Sequence, residues 1–438
     1  MSKVKVMDLA VTIFVRFGSK AVNFFVFILV ARSLTGSEMG VYGLVFSTAL
    51  ILSVMFDFGL RNSSAVYVGG EFELAQKSSF LLHVSWVFFS LLGACFLVTL
   101  PYFLTSMESI KDYAIPFSIL FSGMLYIRIM QGALIGVGYL GEFNKSEISS
   151  RVVLIGLTLT FYFYEGITIS NALWSLALSQ LMASLYLFAN LLKRNFLIFY
   201  VDVSALKVML KRGVLFMIAV VIMSLSKRLT FYALGEYSSL DTSGMFFSLL
   251  RLSEIVTEVA LAVAVVLFSQ SVRAKSEEAI IQGLAVTTRH MTAILFVMTV
   301  LIFSFSSVFL NILLPSAYEG YESSFDIILW GTFLGSLWVM LFPSLASMVN
   351  PLFIAMLFVP SLLFLVVAFY ICIELQGGVD VYIGANLYFV TNVITLVMFL
   401  SFLWAKYKVA PDQFLRLRVK ELLAMKDMVI GRAKRMMK

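Results

Sequence analysis

Nine charged residues lie inside long apolar runs of this sequence: Arg16, Lys20, Asp57, Arg128, Lys227, Arg228, Arg251, Glu254 and Glu258. A charge at the centre of a bilayer costs about 2.5–3.5 kcal/mol on insertion scales, so nine of them facing lipid would cost on the order of 25 kcal/mol. That is several times an ordinary folding stability, so these groups must face one another or a wet cavity. Their spacing supports this. Arg16, Lys20 and Asn23 sit at i, i+4 and i+7, on one helical face, and Arg251, Glu254 and Glu258 sit at i, i+3 and i+7. Six cations against three carboxylates leave a positive interior. Such an interior attracts an anionic solute, and arginine suits bidentate contact with phosphate. Arg16, Lys20, Asn23, Lys227, Arg228 and Arg251 are therefore the candidate substrate-binding residues. Asp57, Arg61, Glu254 and Glu258 are candidates for ion coupling or for charge pairing. Asp57 and Arg61 are spaced to pair along one helix, while Asp57 also lies at the depth of Arg16 and Lys20. Arg128 is a candidate lining residue of the same cleft. In the plainer alternative, all nine charges pair within the bundle and hold it together.

The elements that carry these residues follow from composition. The chain is 61% hydrophobic and 13% charged over 438 residues, where soluble domains run nearer a quarter charged. Mean hydropathy is +0.98. Apolar runs matched to the hydrocarbon layer recur at 9–34, 40–61, 79–101, 113–137, 148–165, 168–192, 211–234, 242–269, 289–314, 324–349, 352–374 and 381–405. The expected class is an all-α polytopic membrane protein of about twelve transmembrane helices. The first run carries internal charge and lacks a small-x-small site, so it does not read as a cleaved signal peptide. With both termini in the cytoplasm, Arg32 and Lys111 fall outside, six cations fall in spans, and the other 24 of the 32 basic residues lie on the cytoplasmic side. Cytoplasmic loops facing anionic lipid explain a pI near 9.2 without a nucleic-acid partner. Cys95 and Cys372 fall in separate spans, and no metal-ligand spacing, nucleophile constellation or nucleotide loop is present. The chain reads as a non-enzyme without a cofactor, with coupling to a proton or sodium gradient left open. His83 and His290 read as ordinary interfacial histidines.

The chain divides near its middle. Residues 1–192 form an N-terminal lobe, 193–212 a cytoplasmic linker with an amphipathic piece around Val203–Leu210, 213–405 a C-terminal lobe, and 406–438 a basic tail. Each lobe opens with a cationic helix, an outer turn containing glycine, and an acid-bearing second helix, which suggests a parallel repeat. Gly132, Gly136, Gly138 and Gly141 favour close packing or a bend at the inner end of the fourth span. The fifth and sixth spans read as outer packing helices. Pro343, Pro351 and Pro360 interrupt the tenth and eleventh. In the tail, Leu415, Val419, Leu422, Met425 and Val429 share a helical face suited to the inner leaflet.

Several stretches carry a family resemblance: Ala31-Arg32-Ser33-Leu34, Glu38-Met39-Gly40-Val41-Tyr42-Gly43 and Phe56-Asp57-Phe58-Gly59-Leu60. They resemble the opening of bacterial polysaccharide-export flippases of the O-antigen (Wzx-like) type. These belong to the multidrug/oligosaccharidyl-lipid/polysaccharide exporter superfamily. Leu225–Ser271, with Gly244 and Phe247 leading into Arg251-Leu252, resembles the start of their second half, and Leu313-Leu314-Pro315 to Ala346 their ninth-to-tenth helix region. The resemblance implies a MATE-like fold of two six-helix lobes around a central cationic cleft, open alternately to each side. It implies an undecaprenyl-pyrophosphate-linked oligosaccharide as cargo, turned across the bacterial inner membrane, with membrane lipids, a glycan polymerase and a chain-length regulator as partners. It places Arg16, Lys20, Asp57, Lys227, Arg228, Arg251, Glu254 and Glu258 on the cleft. The chain departs from the pattern at Lys227-Arg228, where relatives often carry an acid, and at Ser269, where proline is common. The competing functions are a drug or metabolite antiporter of the same superfamily and a membrane glycan polymerase or ligase. Short outer loops weigh against the last.

Overall fold

The computed structural model describes residues 3–69, 71–99, 105–273, 276–376, 378–410 and 412–415, and the side chains of 3–17 fall outside the description. Among the described residues there is no strand. The N-terminal helices are α1 (Lys3–Ser33), α2 (Gly36–Met55), α3 (Leu60–Val68), α4 (Phe72–Thr99), α5 (Ala114–Val137), α6 (Leu140–Tyr164) and α7 (Ile169–Lys193). They are followed by α8 (Val203–Tyr237), α9 (Leu240–Ser253), α10 (Ile255–Arg273), α11 (Glu277–Ser304), α12 (Ser306–Leu313) and α13 (Glu322–Met348). The series ends with α14 (Pro351–Met356), α15 (Val359–Gln376), α16 (Val381–Tyr407) and the short α17 (Asp412–Leu415).

Each of the twelve expected spans falls mainly on helical residues among those described. Among the described residues, nine stretches are long and apolar enough to cross a membrane by length and composition, which makes this a multi-pass membrane protein. The three spans outside that set are α1, α6 and the α9–α10 pair. They carry Lys20, Arg151 and the Arg251–Glu258 series.

Local breaks shape four of the spans. The second bends at Phe56–Gly59, where Phe58 and Gly59 take positive φ (45° and 71°). The eighth is interrupted at Glu254, the ninth at Phe305, and the eleventh between α14 and α15. Pro351 opens α14 at a position where its missing N–H is harmless, while Pro343 is accommodated inside α13. Val203–Leu210 is not a separate surface piece. It forms the first turns of α8, started by Asp202, whose carboxylate accepts from the backbone N–H of Ser204 (3.0 Å) and Ala205 (3.1 Å). Thr35 and Glu38 cap α2 reciprocally. Within the fourth span's glycine set, Gly132 and Gly136 let α5 press on α3, Gly138 ends α5 at φ 83°, and Gly141 faces open space. The tail face beyond Leu415 lies outside the described residues.

The helices α1 to α7 pack chiefly on one another, as do α8 to α16, and the two groups meet along α2, which runs against α9 and α8. The seam is a backbone contact. A Cβ on Gly244 would overlap the Gly36 carbonyl oxygen, and one on Gly40 would overlap that of Leu240. Near the end where α1 and α8 begin, Gly59 and Gly213 meet in the same way. Small residues at such crossings let helices approach where lipid offers no hydrophobic drive. At the opposite end the seam is sealed by Phe27, Tyr42, Phe231 and Phe247, all buried, with Phe247 in edge or tilted contact with the other three at 5.3–6.4 Å.

Replacing Gly244 by valine forces this backbone contact open, at a cost of about 1–3 kcal/mol for overpacking. Thermal unfolding in detergent should show a clear drop in Tm for Gly244→Val. Gly141→Ala, which meets open space, should leave it in place.

Candidate functional site

The break after α9 determines the centre of the site. Glu254 caps α9 before α10 resumes, so its carboxylate sits between two guanidinium groups. Arg228 Nη2 donates to Oε1 at 2.7 Å, and Arg251 Nη1 donates to Oε2 at 2.6 Å. Arg228 comes from α8 and Arg251 from α9, one turn before Glu254. Aromatic faces lie against both cations: Phe247 is 5.9 Å from Arg228 and Phe46 is 4.9 Å from Arg251. Phe46 belongs to α2, so the triad touches the other lobe.

A second ion pair joins the lobes directly. Lys20 of α1 donates to Glu258 of α10 at 2.7 Å. Its side chains stay 41% and 23% exposed although both sit deep in apolar helices, so this bridge lines open space. Few other residues link α1 to α10. Lys227 projects over the Trp338 ring of α13 at 5.4 Å and makes no ion pair among the described residues. Lys20, Lys227, Arg228, Glu254 and Glu258 lie within electrostatic reach of one another. The bend at Phe56–Gly59 resets the surroundings of Asp57. Because the helix unwinds there, Asp57 and Arg61 do not lie on one continuous helical face, and Lys20 is paired with Glu258 and not with Asp57. Its Oδ1 accepts from the Gly59 backbone N–H at 2.6 Å, and its Oδ2 accepts from Arg128 Nε (3.0 Å) and Nη2 (2.8 Å). Arg128, expected to line the cleft, is committed to this pair inside the N-terminal lobe. The carbonyl of Arg61 is pressed against Gly132. The side chain of Arg16 lies outside the described residues.

One residue escaped the sequence reading. Arg151 belongs to α6, a helix expected only to pack on the outside, and it was counted with the cytoplasmic basic residues. It reaches α1 instead, where Nη1 donates to Asn23 Oδ1 at 2.8 Å. Arg251 and Glu258 are within its electrostatic reach, as is Glu147 one turn earlier on α6. The signal that could have found it is its depth, eleven residues into a helix that is otherwise apolar from that point to its end.

Five cations (Lys20, Arg151, Lys227, Arg228, Arg251) thus gather around Glu254 and Glu258, with Glu147 at the margin. Even with Glu147 counted, the cluster keeps a surplus of two positive charges. Both carboxylates are engaged by cations, which makes charge pairing their visible role. The Asp57–Arg128 pair, by contrast, is balanced, with Asp57 almost fully buried (2% exposed). Removing one partner of such a pair strands a buried charge and costs about 3–5 kcal/mol. Asp57→Ala should therefore lower Tm sharply. Asp57→Ala combined with Arg128→Met should recover much of the loss, and a double-mutant cycle on thermal unfolding measures the coupling.

No protein-family model matches the sequence, and no curated protein is detectably similar to it. Solved structures are similar in fold. An inward-facing multidrug resistance MATE family transporter of the MOP superfamily superposes with a TM-score of 0.64 at 15% identity, covering 90% of this chain and 98% of that one. The lipid II flippase MurJ in an inward closed conformation gives 0.66 at 14% identity, covering 96% and 93%. A MATE in the bent conformation gives 0.60 at 16% identity, covering 92% and 94%. The chain therefore has the all-helical MATE/MurJ-like fold over nearly its whole length, with its charge cluster between the two helical groups.

Proposed function

We propose that the chain is a flippase. It would carry undecaprenyl-pyrophosphate-linked oligosaccharide from the cytoplasmic to the periplasmic leaflet of a bacterial inner membrane, by alternating access, with both termini in the cytoplasm. The observation that carries this reading is the surplus of positive charge held between the lobes by Lys20, Arg151, Lys227, Arg228 and Arg251. A pyrophosphate brings the negative charge that the cluster lacks. A cationic drug would be repelled from it, which disfavours the antiporter reading.

The pairing suggests how cargo moves the lobes. Each carboxylate in the cluster is a placeholder that an incoming phosphoryl group can displace. An anion that takes Lys20 from Glu258 breaks the α1–α10 bridge, and one that takes Arg228 or Arg251 from Glu254 loosens α8 from α9. With these pairs exchanged, the aromatic seal of Phe27, Tyr42, Phe231 and Phe247 is the remaining barrier to release on the far side. The lipid tail would stay in the bilayer beside α1 and α10, where the lobes touch least. Arg16 and Asn23 share the α1 face with Lys20 and belong to the same proposed cargo site. The family likeness in fold to a lipid II flippase supports a lipid-linked cargo.

The test is translocation of a defined undecaprenyl-pyrophosphate-linked oligosaccharide in proteoliposomes. Wild-type protein should move the donor across the bilayer. Lys20→Ala and Arg228→Ala should each lower the rate about tenfold or more, the equivalent of 1.4 kcal/mol, at equal reconstituted protein. Unchanged rates in both variants would remove the cluster from the cargo path.

A further inference from the structure

The guanidinium of Arg151 is only half used. Its Nη1 donates to Asn23 Oδ1 at 2.8 Å. Its Nε is buried and has no hydrogen-bond partner. Among the described residues no carboxylate lies within 4 Å of it, and Nη2 makes no hydrogen bond. The side of the fork formed by Nε and Nη2 is therefore left without an acceptor. A buried donor left without an acceptor forfeits the hydrogen bond it made to water, so a position that tolerates it has a reason to do so.

The same molecule shows what a structural arginine does with that edge. Arg128 turns both Nε and Nη2 onto one oxygen of Asp57, and nothing is left over. Arg151 lies at a comparable depth and has only a neutral amide, which fixes its far end and offers no charge. Its ionic neighbours at longer range are the carboxylates Glu147 and Glu258 and, between them in strength, Arg251, a like charge. Across the cluster, Arg228 also buries a free donor, Nη1, while Nη2 holds Glu254. Two guanidinium groups, one from each lobe, thus present unmatched N–H donors around the same surplus of positive charge. The Nε/Nη2 edge is planar and spaced for two oxygens of one oxyanion, the geometry of a phosphoryl or carboxylate group.

We propose that Arg151 is a cargo-contacting residue whose unmatched Nε/Nη2 edge receives a phosphoryl group of the lipid diphosphate once cargo enters between the lobes, with Asn23 holding the other end of the guanidinium in place. This rests on the flippase reading above and adds to it a contact from α6, a helix at the back of the N-terminal lobe. Arg151 pulls α6 into the recognition of the headgroup, so cargo binding would draw α1 and α6 together.

The test measures binding of sugar-free undecaprenyl diphosphate to the full chain in nanodiscs, with uncharged undecaprenol as the comparison. Wild-type protein should prefer the diphosphate. Arg151→Gln should weaken diphosphate binding about tenfold or more while leaving undecaprenol binding and Tm unchanged. Arg151→Lys should fall between the two, because a point charge lacks the planar fork. If Arg151→Gln binds the diphosphate as tightly as wild type, or loses both lipids equally, the contact is refuted and Arg151 is only a tie between helices. If only a uronate-bearing lipid-linked oligosaccharide is weakened, the edge reads a sugar carboxylate and the phosphoryl assignment falls. A wild type that does not distinguish diphosphate from undecaprenol would instead overturn the functional reading itself.

Discussion

Charge placed deep among apolar helices has to find a partner, and this protein carries more cations there than carboxylates. Glu254 is divided between Arg228 and Arg251, Glu258 is taken by Lys20, and Lys227 and Arg151 must settle for an indole face and an amide. Sharing one carboxylate between two guanidinium groups satisfies geometry without reaching neutrality. The aromatic rings of Phe46, Phe247 and Trp338 soften the remaining imbalance, because a ring face attracts a cation without cancelling its charge. The result is a set of ion pairs that leaves positive charge over, in contrast to the balanced Asp57–Arg128 pair within one lobe.

The backbone makes this arrangement reachable. Glycines at 36, 40 and 244 bring α2 and α9 to backbone contact at one end of the seam, and Gly59 meets Gly213 toward the other. Two interruptions then aim the acids. The turn at Phe56–Gly59 swings Asp57 toward α5, and the interruption at Glu254 sets that carboxylate between α8 and α9. With tight packing along α2 and sparse contact between α1 and α10, the Lys20–Glu258 bridge is one of few links on its side of the seam.

Much of this was legible in the sequence. Charges inside apolar runs marked Lys20, Lys227, Arg228, Arg251, Glu254 and Glu258, because the cost of exposing them to lipid demands a common interior. Gly132 and Gly136, in a set read as favouring close packing or a bend, do stand where α5 presses on α3. Two readings failed for physical reasons. The i, i+4 spacing of Asp57 and Arg61 assumed a continuous helix, and the positive φ values at Phe58 and Gly59 remove that assumption. Arg151 reads as a loop-side basic residue because α6 begins with a charged stretch, Glu142 to Glu147, which hides how far along the helix the arginine lies.

By itself, the sequence determined the class: a helical membrane protein with a net positive interior, since hydropathy and charge count are properties of composition and spacing alone. Which cation meets which carboxylate was decided only in three dimensions. Pairing across 238 positions, as between Lys20 and Glu258, depends on how helices from distant parts of the chain pack. Local periodicity carries no information about a neighbour that arrives from another lobe.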